Sequence, residues 1–265
     1  MAFTTNGSSH KNGIKNEARV AKKLQQLGQK LFPSLSGSFQ VTLSGGTQNK
    51  ADIIVEDVSH KIPVSVKRKE SLGKGSYDYV NSSAAVKQIA SLAPICDQVK
   101  QIVNSHNPNQ LTVWSKSAVN HVRSACNDVF EAAMKKMTSS ELSKILKDHI
   151  NEKNDGFTVV VSDISTQKDY KFNYNDMPLK NSIDNHTPKL VWGRGKTSCK
   201  VVFEDSSGTI HDHGIRMRVV LNNGVNALLG NSNSNKTSMP VVKIQQDRVD
   251  NVISAMQKIN KVQTF

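Results

Sequence analysis

The sequence predicts an α/β fold: a helix, about three strands, further helices, then a mostly β portion closed by a helix. Three observations carry this. Apolar residues recur at helical spacing in Asn12–Lys30, in 82–105 and in 115–136. They alternate at period two in Phe39, Val41, Leu43 and in Ile62, Val64, Val66. Gly, Pro, Ser and Asn clusters punctuate the runs.

In order, Ile14, Val20, Leu24 and Leu27 fall near one stripe of the first helix, and Gly28 with Pro33 marks its end. A strand over Phe39–Leu43 leads to the turn Ser44-Gly45-Gly46. A short strand spans Ala51–Glu56, a hairpin turn Asp57–Lys61, and a third strand Ile62–Lys67. Val86, Ile89, Leu92, Ile95, Val99 and Ile102 give the next helix, with Pro94 as a break or kink. Thr138-Ser-Ser-Glu141 fits a capping box before another helix. Composition shifts at Asn151–Gly156, so the expected organisation is 1–150 as a core with a helical region and 151–265 as a β-rich portion. Helical periodicity returns from about Gln245 to Val262, and 230–237 is a polar loop candidate.

The chain has 265 residues, with 35 Lys+Arg against 22 Asp+Glu, a net charge of +13. Residues 1–150 carry 20 basic and 11 acidic side chains, and 151–265 carry 15 and 11. The densest patch, KIPVSVKRKESLGK at 61–74, suits a phosphate backbone. No apolar run approaches the roughly 18 residues of a membrane span, so no membrane partner is expected. The opening MAFTTNGSSHKNG lacks the apolar region of a secretory signal. Cys96, Cys126 and Cys199 are too scattered for a disulfide framework or a paired-cysteine zinc site. The expected location is therefore a reducing cytoplasm.

Chemistry converges in the first 70 residues. Asp52 opens one strand and Lys67 ends the next. Paired strands lie about 4.8 Å apart, so both side chains can meet at one end of the sheet. A carboxylate binds a hard cation such as Mg²⁺, which activates water and offsets transition-state charge. A lysine orients the attacking water or helps to remove its proton.

With Glu17 in the first helix, Lys50-Ala51-Asp52 before Ile53-Ile54-Val55, and Val64-Ser65-Val66-Lys67, residues 12–105 resemble the PD-(D/E)XK nuclease superfamily. The resemblance implies a restriction-endonuclease-like core, a central mixed β-sheet flanked by helices. It implies Asp52 and Glu17 as metal-binding acids, Lys67 as the catalytic lysine and Mg²⁺ as cofactor. Ser65 stands where the family carries Asp or Glu. Its hydroxyl could orient a metal-bound water, with the Val66 carbonyl as a ligand and Glu70 or Glu17 supplying the missing carboxylate. Ala51 replaces the family's proline.

In the second half, Arg216 and Arg218 share one face of a strand. Arg68, Lys69, Arg216, Arg218, Asn222, Asn223 and Lys236 are the candidate DNA-binding residues, since Arg reads guanine and Asn adenine. His211-Asp212-His213 reads as a turn between strands, because no third metal ligand stands at a suitable spacing. Gly195-Lys196-Thr197 lacks the upstream glycine of a phosphate loop.

The resemblance implies a site-specific endonuclease of double-stranded DNA, like type II restriction enzymes. It would act as a homodimer beside a cognate DNA methyltransferase of the same restriction-modification system. The alternatives are a phage or homing-type nuclease, a junction resolvase, or a DNA-binding module that has lost catalysis.

Overall fold

A computed structural model describes residues 8–44, 51–69, 76–106, 116–193, 198–222, 239–247 and 249–265. The chain forms two units, and they are not its two halves. One comprises Thr5–Tyr77, Asn151–Asn181 and Asp247–Phe265; the other comprises Asp78–Ile150 and Ser182–Gln246. A single division near residue 150 is therefore corrected to interleaved segments. The cause is a strand pairing. Thr158–Asp163 returns to lie parallel to Lys61–Lys69 and carries the chain back into the first sheet. Charge divides evenly between the units, with 19 basic against 12 acidic residues in the first and 16 against 10 in the second. The excess is thus not concentrated with the motif.

The first unit holds a six-stranded sheet. Its strands are β1 (Gln40–Leu43), β2 (Ile53–Glu56), β3 (Lys61–Lys69), β5 (Thr158–Asp163), β6 (Lys168–Asn173) and β11 (Gln263–Thr264), adjacent in that order. All neighbours are antiparallel except β3 and β5, so the sheet is mixed.

Helix α1 (Ser8–Leu31) covers one face. Its Val20, Leu24 and Leu31 join Ile53, Val55, Val64, Val66 and Val160 in one core cluster. Gly28 does not end the helix; it is buried within it because the Phe39 ring packs against it. The chain leaves α1 at Phe32-Pro33, and Lys171 Nζ donates to the Leu31 carbonyl at the helix C-terminus, 2.5 Å away. Helix α8 (Val249–Lys258) starts on the opposite face of the sheet, where Asp250 reaches Lys69. Gln245 to Asp247, expected as helix, belong to a strand instead.

The second unit holds an antiparallel sheet ordered β4 (Ser76–Ser82), β10 (Met239–Asp247), β9 (Ile210–Asn222), β8 (Cys199–Glu204) and β7 (Thr187–Trp192). Its helices are α2 (Ser83–Gln88), α3 (Ile95–His106), α4 (Lys116–Lys135) and α5 (Ser139–Leu146). Pro94 falls in the turns between α2 and α3, so it breaks the periodic run into two helices. The capping box forms: Glu141 N–H donates to Thr138 Oγ1 at 3.1 Å, and Thr138 N–H to Glu141 Oε2 at 2.9 Å. A π-helical turn, Lys147–Asn151, and α6 (Glu152–Asn154) follow, and α7 (Pro178–Asn185) precedes β7. The hairpin turn before β9 lies at Asp205–Thr209, where Asp205 accepts from the Ser207 and Thr209 amides. His211-Asp212-His213 is therefore strand rather than turn.

Candidate active site

Asp52 sits at a bend just before β2. Its N–H donates to the Val64 carbonyl on β3, 2.9 Å, while its carbonyl accepts from Ser44 beside β1, 3.0 Å. The residue is thus tied to both neighbouring strands, and its side chain turns onto β3. Oδ2 accepts from the Val66 amide at 2.6 Å and from the Ser65 hydroxyl at 3.3 Å. The first is a short, charge-assisted bond that fixes the carboxylate against the backbone. Among the described residues Oδ1 takes no hydrogen bond.

Alternation along β3 sorts the other candidates. Val64 and Val66 point into the α1 core. Ser65, Lys67 and Lys69 therefore share the opposite face. Ser65 is buried, Lys67 half-buried, and the two stand about 6.7 Å apart along the strand. The structure thus brings Asp52, Ser65 and Val66 into contact and sets Lys67 on the same face, one position beyond Ser65.

Other expected members fall elsewhere. Glu17 lies on α1, which packs against the opposite face of the sheet from Ser65 and Lys67. Arg68 is half-buried on the α1 face, paired in register with Ser162 of β5. Lys69 is not a surface cation for DNA: it is 4% exposed and bridges Asp163, 3.0 Å away, and Asp250. Burial pushes its pKa down, but Asp250 and Asp163 outweigh that and raise it. Burial pushes Asp163 up, while Ser165 and Lys69 bring it down to about 2. The surplus carboxylate on this face is therefore committed to Lys69, and it sits four strand residues from Ser65.

Glu70, Asn223 and Lys236 lie outside the described residues, as does the side chain of Asn222. Arg216 is exposed and Arg218 half-buried on β9.

A magnesium ion takes hard oxygen donors, accepts one or two carboxylates and keeps several waters. Asp52 Oδ1 meets that demand. So does the Val66 carbonyl, since the N–H and C=O of one strand residue face the same edge, here the Asp52 side. Ser65 adds a hydroxyl but no charge. Among the described residues no group of three or more His, Cys, Asp or Glu side chains is placed to hold a metal. The donor set present is thus one carboxylate, one carbonyl and one hydroxyl.

Sequence reasoning missed the network that seats α1. Arg19 donates to Asp169 and to Ser162 Oγ, Asn16 donates to Ser162 Oγ, and Lys23 donates to Asp169. Its sequence signal was the polar pair Asn16 and Arg19 flanking the apolar stripe of α1, with Ser162 breaking the apolar run Val159-Val160-Val161.

Comparisons with protein-family models, with curated proteins and with solved structures return no match.

Proposed function

We propose that the protein is a magnesium-dependent endonuclease that hydrolyses phosphodiester bonds of double-stranded DNA, site-specific in the manner of type II restriction enzymes. The observation that carries this reading is the Asp52 carboxylate, held through Oδ2 by the Val66 amide, beside a strand that presents Lys67 on the same face.

In this reading Asp52 Oδ1 and the Val66 carbonyl would hold the cation, which when bound would supply Lewis-acid activation of water and charge for the scissile phosphate. Lys67 orients the attacking water and the phosphate oxygens. The Val66 amide keeps the carboxylate in one rotamer, so little reorganisation is needed as charge develops. Ser65 braces the same oxygen of Asp52 and positions water at the site. The topology also supports the reading: helix, three antiparallel strands, then a parallel strand beside the third make a mixed sheet flanked by helices. As a homodimer the enzyme would present one Asp52 site to each DNA strand.

Ser65 favours a second reading, a DNA-binding module without cleavage, because one carboxylate supplies less charge to a cation than two. One experiment separates them. Purified protein is incubated with phage-length DNA and Mg²⁺, then compared with Asp52→Ala. Discrete fragments that disappear in Asp52→Ala support the site-specific enzyme. A smear lost in the variant supports a nonspecific nuclease. Binding without cutting across Mg²⁺ and Mn²⁺ supports the module.

A further inference from the structure

Strand alternation divides the five-stranded sheet of the second unit into two unlike faces. Cys199, Val201, Ile215, Met217, Val219, Val242 and Ile244 are buried on one. The residues between them face the other way, and of these Val202 and Val241 are buried as well. In register, Lys200 lies directly opposite Arg216, and Arg218 directly opposite Lys243. Two cation–cation pairs thus sit side by side on three adjacent strands. Lys200 and Arg216 are exposed, and Arg218 and Lys243 half-buried. Lys189 on β7 joins the same face.

Like charges directly opposed across a sheet are destabilising, by up to about 1 kcal/mol per pair. Folding gains nothing from placing two such pairs together. Two acids also lie on this face: Asp212 engages Lys200 at 3.0 Å, and Glu204 engages Lys189. Cations spaced about 5–7 Å apart in two dimensions suit a polyanion with a charge every ~1.7 Å of its axis. The aromatic residues of β7 and β8, Trp192 and Phe203, belong to the opposite face, Trp192 paired with buried Cys199 and Phe203 fully buried. The cationic face therefore carries no stacking platform for unpaired bases among the described residues of β8 and β9.

We infer that Lys200, Arg216, Arg218 and Lys243 form a docking face for the phosphate backbone of duplex DNA, held without regard to sequence. Arg216 and Arg218 then act as backbone clamps rather than base readers. The inference takes its substrate class from the nuclease reading but needs no catalysis.

The test uses the full-length protein in EDTA, with a labelled 30-base-pair duplex and fluorescence anisotropy across a KCl series. Lys200→Gln/Arg216→Gln/Lys243→Gln is compared with Lys87→Gln/Lys136→Gln/Lys100→Gln, which removes equal charge from exposed positions of the same unit. The expected result is binding at least about tenfold weaker for the first variant, with a salt slope shallower by two to three. The second variant should bind within about twofold of the parent. Because repulsion is relieved, the first variant should melt no lower than the parent. Equal losses in both variants, or an unchanged slope, would overturn the proposal. So would tighter binding of a single strand, or equal dependence on these residues for vesicles of anionic lipid. Failure of the nuclease reading shows separately, as absent Mg²⁺-dependent cutting while this binding persists.

Discussion

The Asp169 carboxylate, 1% exposed, receives both terminal nitrogens of the Arg19 guanidinium, at 2.6 and 2.8 Å. Lys23 adds a third bond at 2.6 Å. Burial pushes the Asp169 pKa up, but Arg19, Lys23 and Ser162 outweigh it and hold it below the ordinary carboxylate value. The fork fixes α1 on β6 and so seats Glu17. Removing the acid strands a guanidinium and an ammonium beside a buried position. Arg19 and Lys23 keep about a third or more of their side chains in solvent, so Asp169→Ala should lose about 1–3 kcal/mol of stability, measured by urea unfolding. A loss below about 0.5 kcal/mol would mean that the fork does not seat α1.

At the candidate active site, Asp52→Ala and Lys67→Ala should each abolish Mg²⁺-dependent cleavage. DNA affinity in EDTA should stay within a few-fold of the parent. Ser65→Asp supplies a second carboxylate beside Asp52 and should lower the Mg²⁺ concentration needed for half-maximal cleavage. If the Mg²⁺ dependence of Ser65→Asp matches the parent while both proteins cut, the cation is not held next to Ser65.

Helix propensity favours Gly28→Ala by about 1 kcal/mol. Packing opposes it, because an added methyl would run into the Phe39 ring. Forced overpacking typically costs about 1–3 kcal/mol, so the net effect should be destabilising. Thermal melting should show a lower Tm for Gly28→Ala, and Phe39→Leu in the same chain should recover part of it.

His213 sets a pH dependence. Burial first, then the neighbouring His211, lowers its pKa to about 4, and its Nε2 lies 2.8 Å from Ser182 Oγ. In the unfolded chain it titrates near 6.5. Between those values the unfolded state binds the proton and the native state does not, so stability falls as pH drops from about 6.5 towards 4. The contribution is about 3 kcal/mol across that window. His213→Gln should flatten this part of the stability–pH curve, read by urea unfolding at pH 4.5, 5.5 and 7. A parallel curve for the variant would assign the acid sensitivity elsewhere.

The local elements around the motif were legible because period-two alternation survives in short exposed-edge strands such as Gln40–Leu43 and in the β2–β3 hairpin. The same rule placed Lys67 opposite in facing to Val64 and Val66. It failed at Lys69, where alternation says which face a lysine takes but not that α8 covers it. Strand β7 escaped notice because Pro188 argues against a strand; β7 is an edge strand, where a missing N–H is tolerated. His211-Asp212-His213 looked like a turn because its polarity resembles one, yet Asp205, six residues before His211, already satisfies the turn amides. The interleaving of the two units rests on long-range pairings, β3 with β5 and β6 with β11, and no local window contains both strands of either pair.

The pairing of β3 with β5 also sets how the chain must be handled. Val64 meets Thr158 across more than ninety intervening residues, so the strand bearing Ser65 and Lys67 gains its second neighbour only after most of the polypeptide has emerged. Until then one edge of β3 is bare, and a bare apolar edge is a template for another chain. A fragment cut at the compositional boundary near residue 150 would keep every motif residue and lose the strand beside them. Such a fragment should aggregate, because the unit boundaries cross the chain four times, near residues 77, 150, 181 and 246, and no single cut separates the two units.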